Sequence, residues 1–532
     1  MKTTLGNNFF RWLPWIIIAI GFILRLDQYL FNRSLWLDEA FFVANVVDRS
    51  FLELFQAPLE YTGHIMPPGF LVMAKLAITW FGNSDFILRL FPFLSGIVSL
   101  FLFYFLAKTY VSAPAVLLAL FFFAVSDPLI YYSSEFKQYS SDVTITIILL
   151  LLAAYIKTHP ITFTRLFILA IAGIIAIWFS HPSVFILATI GIYLAFPYLI
   201  NRQWQMVVKF IAVYSIWLLN FAVLYFFFIN IDTLATPWLH QFWTMENAFM
   251  PSPFSIEGIR WLYHTFFMIL EYPGTLENIQ LAGGIIIIGC IALFFDKKGT
   301  LFFLIFPVLI ALSASIFQKY AFSGRLILFL MPSLYLILAE GLTRIQIRYF
   351  NFSNSFRHTI VLTIILTALV AGHPTYNALK HLFNPRVALE EIKPVLKSVQ
   401  DRFQTQDLIY LYYWAEPAFR YYASFYNFNY DNCHLINPIP ENEYIKEVDY
   451  FRIKRQVKPV EVSDTQCILG VSEIFHQSKL DLDKLSGQGR VWFIFSHILP
   501  HEMNLFLNHL DTIGERLEEN LQPGASAYLY KL

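Results

Sequence analysis

Twelve apolar runs constrain this chain more than anything else in it. They lie at about 13–30, 67–82, 88–107, 113–132, 143–156, 165–180, 183–200, 207–230, 280–295, 300–317, 326–343 and 358–372. Most are long enough to cross the ~30 Å hydrocarbon layer of a bilayer as helices. The expected fold class is therefore a polytopic α-helical membrane protein. Composition agrees, with 57% hydrophobic and 14% charged residues and a mean hydropathy of +0.56, against about 45–50% and about 25% in soluble domains. The 37 basic and 37 acidic residues cancel, so bulk charge argues for neither a nucleic acid nor an anionic partner. No small-residue cleavage site follows the first run, which reads as a retained first helix.

Orientation follows from the short loops, because cytoplasmic connections are enriched in Lys and Arg. With the N-terminus (Lys2, Arg11) cytoplasmic and 67–82 lying along the interface, every inner connection is basic. These carry Lys108, Lys157 with Arg165, Arg202 with Lys209, Lys297 with Lys298, and Arg344, Arg348 with Arg357. If 67–82 crossed, that bias would invert. The run opens with Pro67-Pro68 and carries Lys75, as a juxtamembrane helix would. Eleven spans remain, in a membrane module of residues 1–375. Residues 376–532 are more polar and form a C-terminal domain of ordinary size, about 155 residues, expected outside the cell or plasma membrane.

This parity gathers five polar stretches on the outer face: "LWLDEAFF" (35–42), "YTGHIMPP" (61–68), "DPLIYYSSEFKQYSSD" (127–142), "SHPS" (180–183) and "QKYAFSGR" (318–325). Ionisable groups at membrane depth are costly and mark a site by default. Asp38 and Glu39 head the set. Asp38 could simply cap a helix with Glu39 favoured by the helix dipole, but adjacent carboxylates also push their pKa values apart, which suits a base or a metal ligand. If 135–142 is helical, Glu135, Tyr139 and Asp142 share a face, with Lys137 and Gln138 beside them; interfacial anchoring by Tyr and a snorkelling Lys is the plainer alternative. Lys319 and Arg325 flank Gly324 and offer phosphate-binding cations or lipid-headgroup contacts. His64 and His181 could be metal ligands, or interfacial histidines making one hydrogen bond each. Carboxylates beside phosphate-binding cations at the interface suit group transfer from an anionic, membrane-embedded donor. A transporter or flippase of polyprenyl-linked sugars would place polar groups nearer mid-bilayer, and a non-catalytic scaffold leaves the charged loops unexplained.

At these residues the chain resembles the C-type glycosyltransferase superfamily, in the bacterial branch similar to protein O-mannosyltransferases and to the aminoarabinose transferase of lipid A. The resemblance covers about residues 10–345. It rests on Asp38-Glu39, on "HIMPPGF" (64–70) followed by "FGNSDFILRLFPFLSGIVSLFLFYFLAK" (81–108), on "EFKQYSSD" (135–142) and on "AFSGRLILFLMPSLYLILAEGL" (321–342). It implies transfer of a sugar from a polyprenyl-phosphate donor to a lipid, glycan or protein acceptor at the outer face, with Asp38 as base and Glu39 supporting it. Lys137, where relatives often carry Arg, then joins Lys319 and Arg325 as candidate donor-phosphate ligands. A divalent metal ion is a candidate cofactor, with Glu39 and His64 its candidate ligands.

In the C-terminal domain, "DLIYLYY" and "RVWFIFS" read as strands buried on both faces, and 386–403 and 500–520 as helices. The expectation is a small α/β domain with a mainly parallel or mixed sheet. Trp414, Glu416, Arg420 and His497 are candidates for an acceptor-binding surface or for purely structural roles. Cys433 and Cys467 could pair if this domain is extracytoplasmic; Cys290 lies in an apolar helix.

Overall fold

The computed structural model describes residues 2–56, 59, 66–230, 237–353, 355–383, 388–438 and 459–532. Among these, nine helices are long and apolar enough to cross a membrane. The helix pair Ala113–Val125 and Asp127–Ser134, bent by 58°, is apolar enough to count as a tenth if its two parts form one span. The shorter apolar helix Phe163–Phe179 packs between its neighbours in the bundle. Pro68–Phe81 is a separate 14-residue helix against the C-terminal domain core. Lys75 donates to the Val46 and Val47 carbonyls.

The first helix, α1 (Lys2–Leu30), leads through an extended stretch into α2 (Leu37–Asp48). Asp38 and Glu39 fall in the first turn of α2, whose N-cap is Trp36. Asp38 is therefore not the cap. The bend after Val125 frees helix-terminal carbonyls, which need donors. The buried Arg25 of α1 supplies them, bonding Phe123 O at 3.3 Å and Ala124 O at 3.2 Å. Beyond the bend, the Tyr132–Ser134 turn sits close to the Leu90–Tyr110 helix because Gly96 lacks a side chain; a Cβ there would lie 2.5 Å from Ser133 Cβ. Residues 135–138 are then non-helical and the next span starts at Tyr139. The expected helix over 135–142 is thus shorter, and Glu135 leaves the face that Tyr139 and Asp142 occupy.

At the far end of the bundle the basic turns meet. Lys297 donates to the Tyr110 and Val111 carbonyls, and Arg344 pairs with Asp296 and Glu340. The C-terminal domain covers the opposite end. Its six strands are β1 (Leu408–Leu411), β2 (Cys433–His434), β3 (Cys467–Leu469), β4 (Arg490–Ser496), β5 (Glu515–Gln522) and β6 (Ala525–Lys531), in the order β2-β3-β1-β4-β6-β5. The first four run parallel, and β6 and β5 join antiparallel. Helices span Ile392–Arg402 and Pro500–Ile513. The expected helix to 520 stops early because 515–522 form the edge strand β5, whose alternating exposure hides its strand period behind charged residues. A disulfide joins Cys433 and Cys467 across β2 and β3.

The two faces of the sheet differ. Tyr410, Phe493, Phe495 and Tyr528 pack under Phe506 and Leu510. Ile409, Leu411, Trp492 and Leu529 instead share one continuous core with Phe42 and Val43 of α2, Phe70 and Phe136. The sheet is thereby the back wall of the loops that carry the acidic pair.

Candidate active site

Glu39 is fully buried and both its oxygens are engaged. Arg89 bonds Oε1 through Nε at 2.9 Å and Oε2 through a terminal nitrogen at 2.6 Å, and the Phe136 N–H donates to Oε1 at 2.7 Å. Arg89 also bonds the carbonyls of Arg33 (2.7 Å) and Ser34 (3.2 Å). One carboxylate thus ties α2 to the start of the Leu90–Tyr110 span and to the 135–138 loop. Burial opposes ionisation of Glu39, but the charges of Arg89 and Arg33 with these hydrogen bonds hold its pKa below the ordinary carboxylate value. The bidentate geometry is the strong form of such a pair.

Asp38, one residue earlier, faces elsewhere. It forms an ion pair with Arg325, and Lys137 Nζ lies 3.7 Å from the same oxygen. A tenth of the Asp38 side chain is exposed and none of Glu39, so only Asp38 can meet an outside molecule. Gly324, with φ +50°, turns the chain so that Arg325 enters the site. Its guanidinium lies over Trp36 and Tyr139, 5.2 and 5.7 Å from their ring centres. Lys137 Nζ lies 4.3 Å from the centre of the Phe42 ring. Burial pushes the Lys137 ammonium down to about 8.

Lys137 and Arg325 line a cavity of about 500 Å³ together with Gln138, Tyr139, Asp142, His181 and Lys319. Its other walls are apolar and aromatic, including Phe185, Phe221, Trp243 and Phe249. A second, almost wholly apolar groove of about 610 Å³, bounded by Leu187, Tyr214 and Trp217, shares Val184 and Phe221 with it. Burial holds the His181 imidazole neutral, its pKa lowered to about 4. Glu135 turns away from the cavity lining towards Arg33, 3.7 Å distant. Burial raises its pKa to about 7, with the Glu39 charge adding to the effect. His64 lies outside the described residues.

Among the described residues no group of three or more His, Cys, Asp or Glu side chains could hold a metal ion. Glu39, a candidate ligand, already has both oxygens bonded within the protein. The described donor set does not fit a metal.

Sequence reasoning passed over the groups that fix the site in place. Arg89 was visible only as a lone cation where "ILRLFP" enters an apolar run. From the C-terminal domain, Glu390 accepts from the Leu37 N–H at 3.0 Å and bonds His497 Nδ1 at 2.6 Å. Glu391 accepts from the Ser34 hydroxyl at 2.8 Å, and Lys393 bonds Asn32 O and Asp85. The pKa of His497 is raised: burial opposes this, but the hydrogen bond to Glu390 and the charges of Glu390, Asp38 and Glu473 prevail. Of the other candidate acceptor-surface residues, Trp414 donates to Glu473, Glu416 accepts from Tyr430, and Arg420 pairs with Asp48 at the end of α2.

A bundle of apolar helices, acidic and basic loops gathered at one end, and an α/β domain seated over them make up the fold. No family model matches the chain, and no curated protein sequence does. Among solved structures it is similar to ArnT from Cupriavidus metallidurans bound to undecaprenyl phosphate, with a TM-score of 0.53 and 10% identity over 98% of both chains. ArnT from the same organism in the apo state gives a TM-score of 0.55 and 11% identity, covering 99% of this chain and 98% of that one. At these identities the likeness is one of fold.

Proposed function

We propose that this protein is a glycosyltransferase that moves a sugar from a polyprenyl-phosphate donor to an acceptor hydroxyl or amine on the extracytoplasmic side of the cell membrane. The observation that carries the reading is the placement of Asp38 against two cations, Arg325 and Lys137, that line a cavity sharing wall residues with an apolar groove. Cations at the polar end suit a phosphate, and the groove suits an isoprenoid chain. The ArnT of similar fold was crystallised with undecaprenyl phosphate.

In this mechanism the acceptor oxygen or nitrogen attacks the anomeric carbon and the bond from that carbon to the phosphate oxygen breaks. Asp38 takes the acceptor proton. Polyprenyl phosphate leaves with the bonding electron pair, and Lys137, Arg325 and Lys319 stabilise the charge that develops on it; preorganised charges of this kind are usually the largest catalytic contribution. Asp38 is the anionic partner of Arg325 and Lys137 here. A donor phosphate that draws those two cations would loosen their hold on Asp38, leaving it better able to accept a proton. Glu39 and Arg89 keep α2 and the 135–138 loop in register while this happens.

The reading is tested with purified protein in lipid nanodiscs and radiolabelled undecaprenyl-phosphate monosaccharides. Release of undecaprenyl phosphate with transfer of label to membrane or protein acceptors is expected. Movement of intact labelled donor across the bilayer without its consumption would overturn it in favour of a flippase.

A further inference from the structure

Asp142 is a cavity-lining carboxyl that the mechanism leaves unused, where a membrane protein tolerates one least easily. It lies at the start of a transmembrane helix, is 5% exposed, and its Oδ1 is buried without a hydrogen bond. Ser180 neighbours it, but no Lys, Arg or His forms an ion pair with it among the described residues. In the same cavity lining, next after Ser180, His181 Nε2 is also buried without a hydrogen bond. Burying a carboxyl oxygen without a hydrogen bond is costly, and ligand pockets characteristically combine apolar walls with a few such converging polar groups. Asp142 stands one helical turn beyond Gln138, about 5 Å along the axis, and lines the same cavity as Lys137. An isoprenoid chain offers neither group a hydrogen bond. A sugar attached to a phosphate held at Lys137 and Arg325 offers hydroxyls within that cavity, and Phe185 and Trp243 supply apolar walls for its ring faces.

We propose that Asp142 and His181 form the subsite that selects the donor's sugar, each hydrogen-bonding a hydroxyl of the ring in the cavity that the phosphate-binding cations also line. This rests on the donor reading above. It assigns the phosphate and the sugar to separate groups of side chains, so the two can be uncoupled.

The test measures binding to the full-length protein in detergent by native mass spectrometry. The probes are undecaprenyl phosphate and undecaprenyl-phosphate-linked glucose, galactose, mannose and 4-aminoarabinose. The wild type is expected to prefer at least one sugar-bearing lipid over undecaprenyl phosphate by about tenfold or more, the worth of one or two hydrogen bonds. Asp142→Asn and His181→Gln are each expected to erase most of that preference while binding undecaprenyl phosphate within about threefold of wild type, which also shows that they fold. A preference that survives both substitutions, equal loss for both kinds of lipid, or no preference in the wild type would each overturn the proposal. Failure of undecaprenyl phosphate itself to bind, or binding undiminished in Lys137→Met and Arg325→Ala, would instead overturn the donor reading.

Discussion

Asp38 and Glu39 are neighbours in sequence and opposites in circumstance. Glu39 is wholly buried, gripped by Arg89 and the Phe136 N–H, and joins three segments of backbone. Asp38 keeps part of its surface open and touches two cations that line the cavity. The acidic pair is therefore one lock and, in the proposed mechanism, one reagent, separated by the ~100° that consecutive residues rotate on a helix. The difference teaches that charge at membrane depth marks a site without saying which charge does chemistry. Burial and the identity of the partners decide that.

The comparison breaks most violently at the lock. Arg89→Met leaves Glu39 buried and unpaired, and is expected to cost about 3–5 kcal/mol of stability, read as a large drop in melting temperature in detergent. Replacing both partners with apolar residues of similar size should recover most of it, because the remaining penalty is that of the uncompensated charge. At the reagent side, Lys137→Met should weaken undecaprenyl phosphate binding by about tenfold or more, a charge-assisted hydrogen bond being worth about 1.5–3 kcal/mol, with little change in melting.

Smaller effects sharpen the contrast. Glu390→Ala removes the acceptor for the Leu37 N–H at the start of α2. Turnover is expected to fall about fivefold, the ~1 kcal/mol of a lost helix cap, with donor affinity unchanged in equilibrium binding. Burial disfavours the charged Lys137 and brings its pKa down to about 8. Donor affinity should accordingly be full below that pH and fall a few-fold as pH rises through it, measured by binding titrations from pH 6.5 to 9.5, and Lys137→Met should flatten the profile.

Local signals made the membrane architecture legible. Hydropathy marked the spans, loop charge kept 67–82 out of the count, and two unbroken apolar runs announced β1 and β4. The convergence of Asp38, Lys137, Lys319, Arg325, Asp142 and His181 followed from parity, since loops on one face of a bundle meet. What stayed hidden depends on partners remote in sequence. Arg89 meets Glu39 fifty residues away, and Glu390 meets Leu37 at a separation of 353; no periodicity records such pairs. A helix over 135–142 would put Glu135, Tyr139 and Asp142 on one face, but residues 135–138 are nonhelical, with the Phe136 N–H bonded to Glu39. Strand β5, "ERLEENLQ", carries the composition of an exposed helix, and only pairing with β6 makes it a strand.

The central claim, that one carboxylate reacts while its neighbour holds the fold, is tested most directly by comparing Asp38→Asn with Glu39→Gln in the same preparation. Sugar transfer from labelled undecaprenyl-phosphate donor and thermal unfolding are measured side by side. The account predicts that Asp38→Asn loses transfer by about 10²–10⁴-fold, the usual contribution of a general base, while melting like wild type. Glu39→Gln should lose melting temperature first and activity in proportion to the protein that remains folded. Full transfer by Asp38→Asn, or a well-folded Glu39→Gln that is inactive, would contradict it.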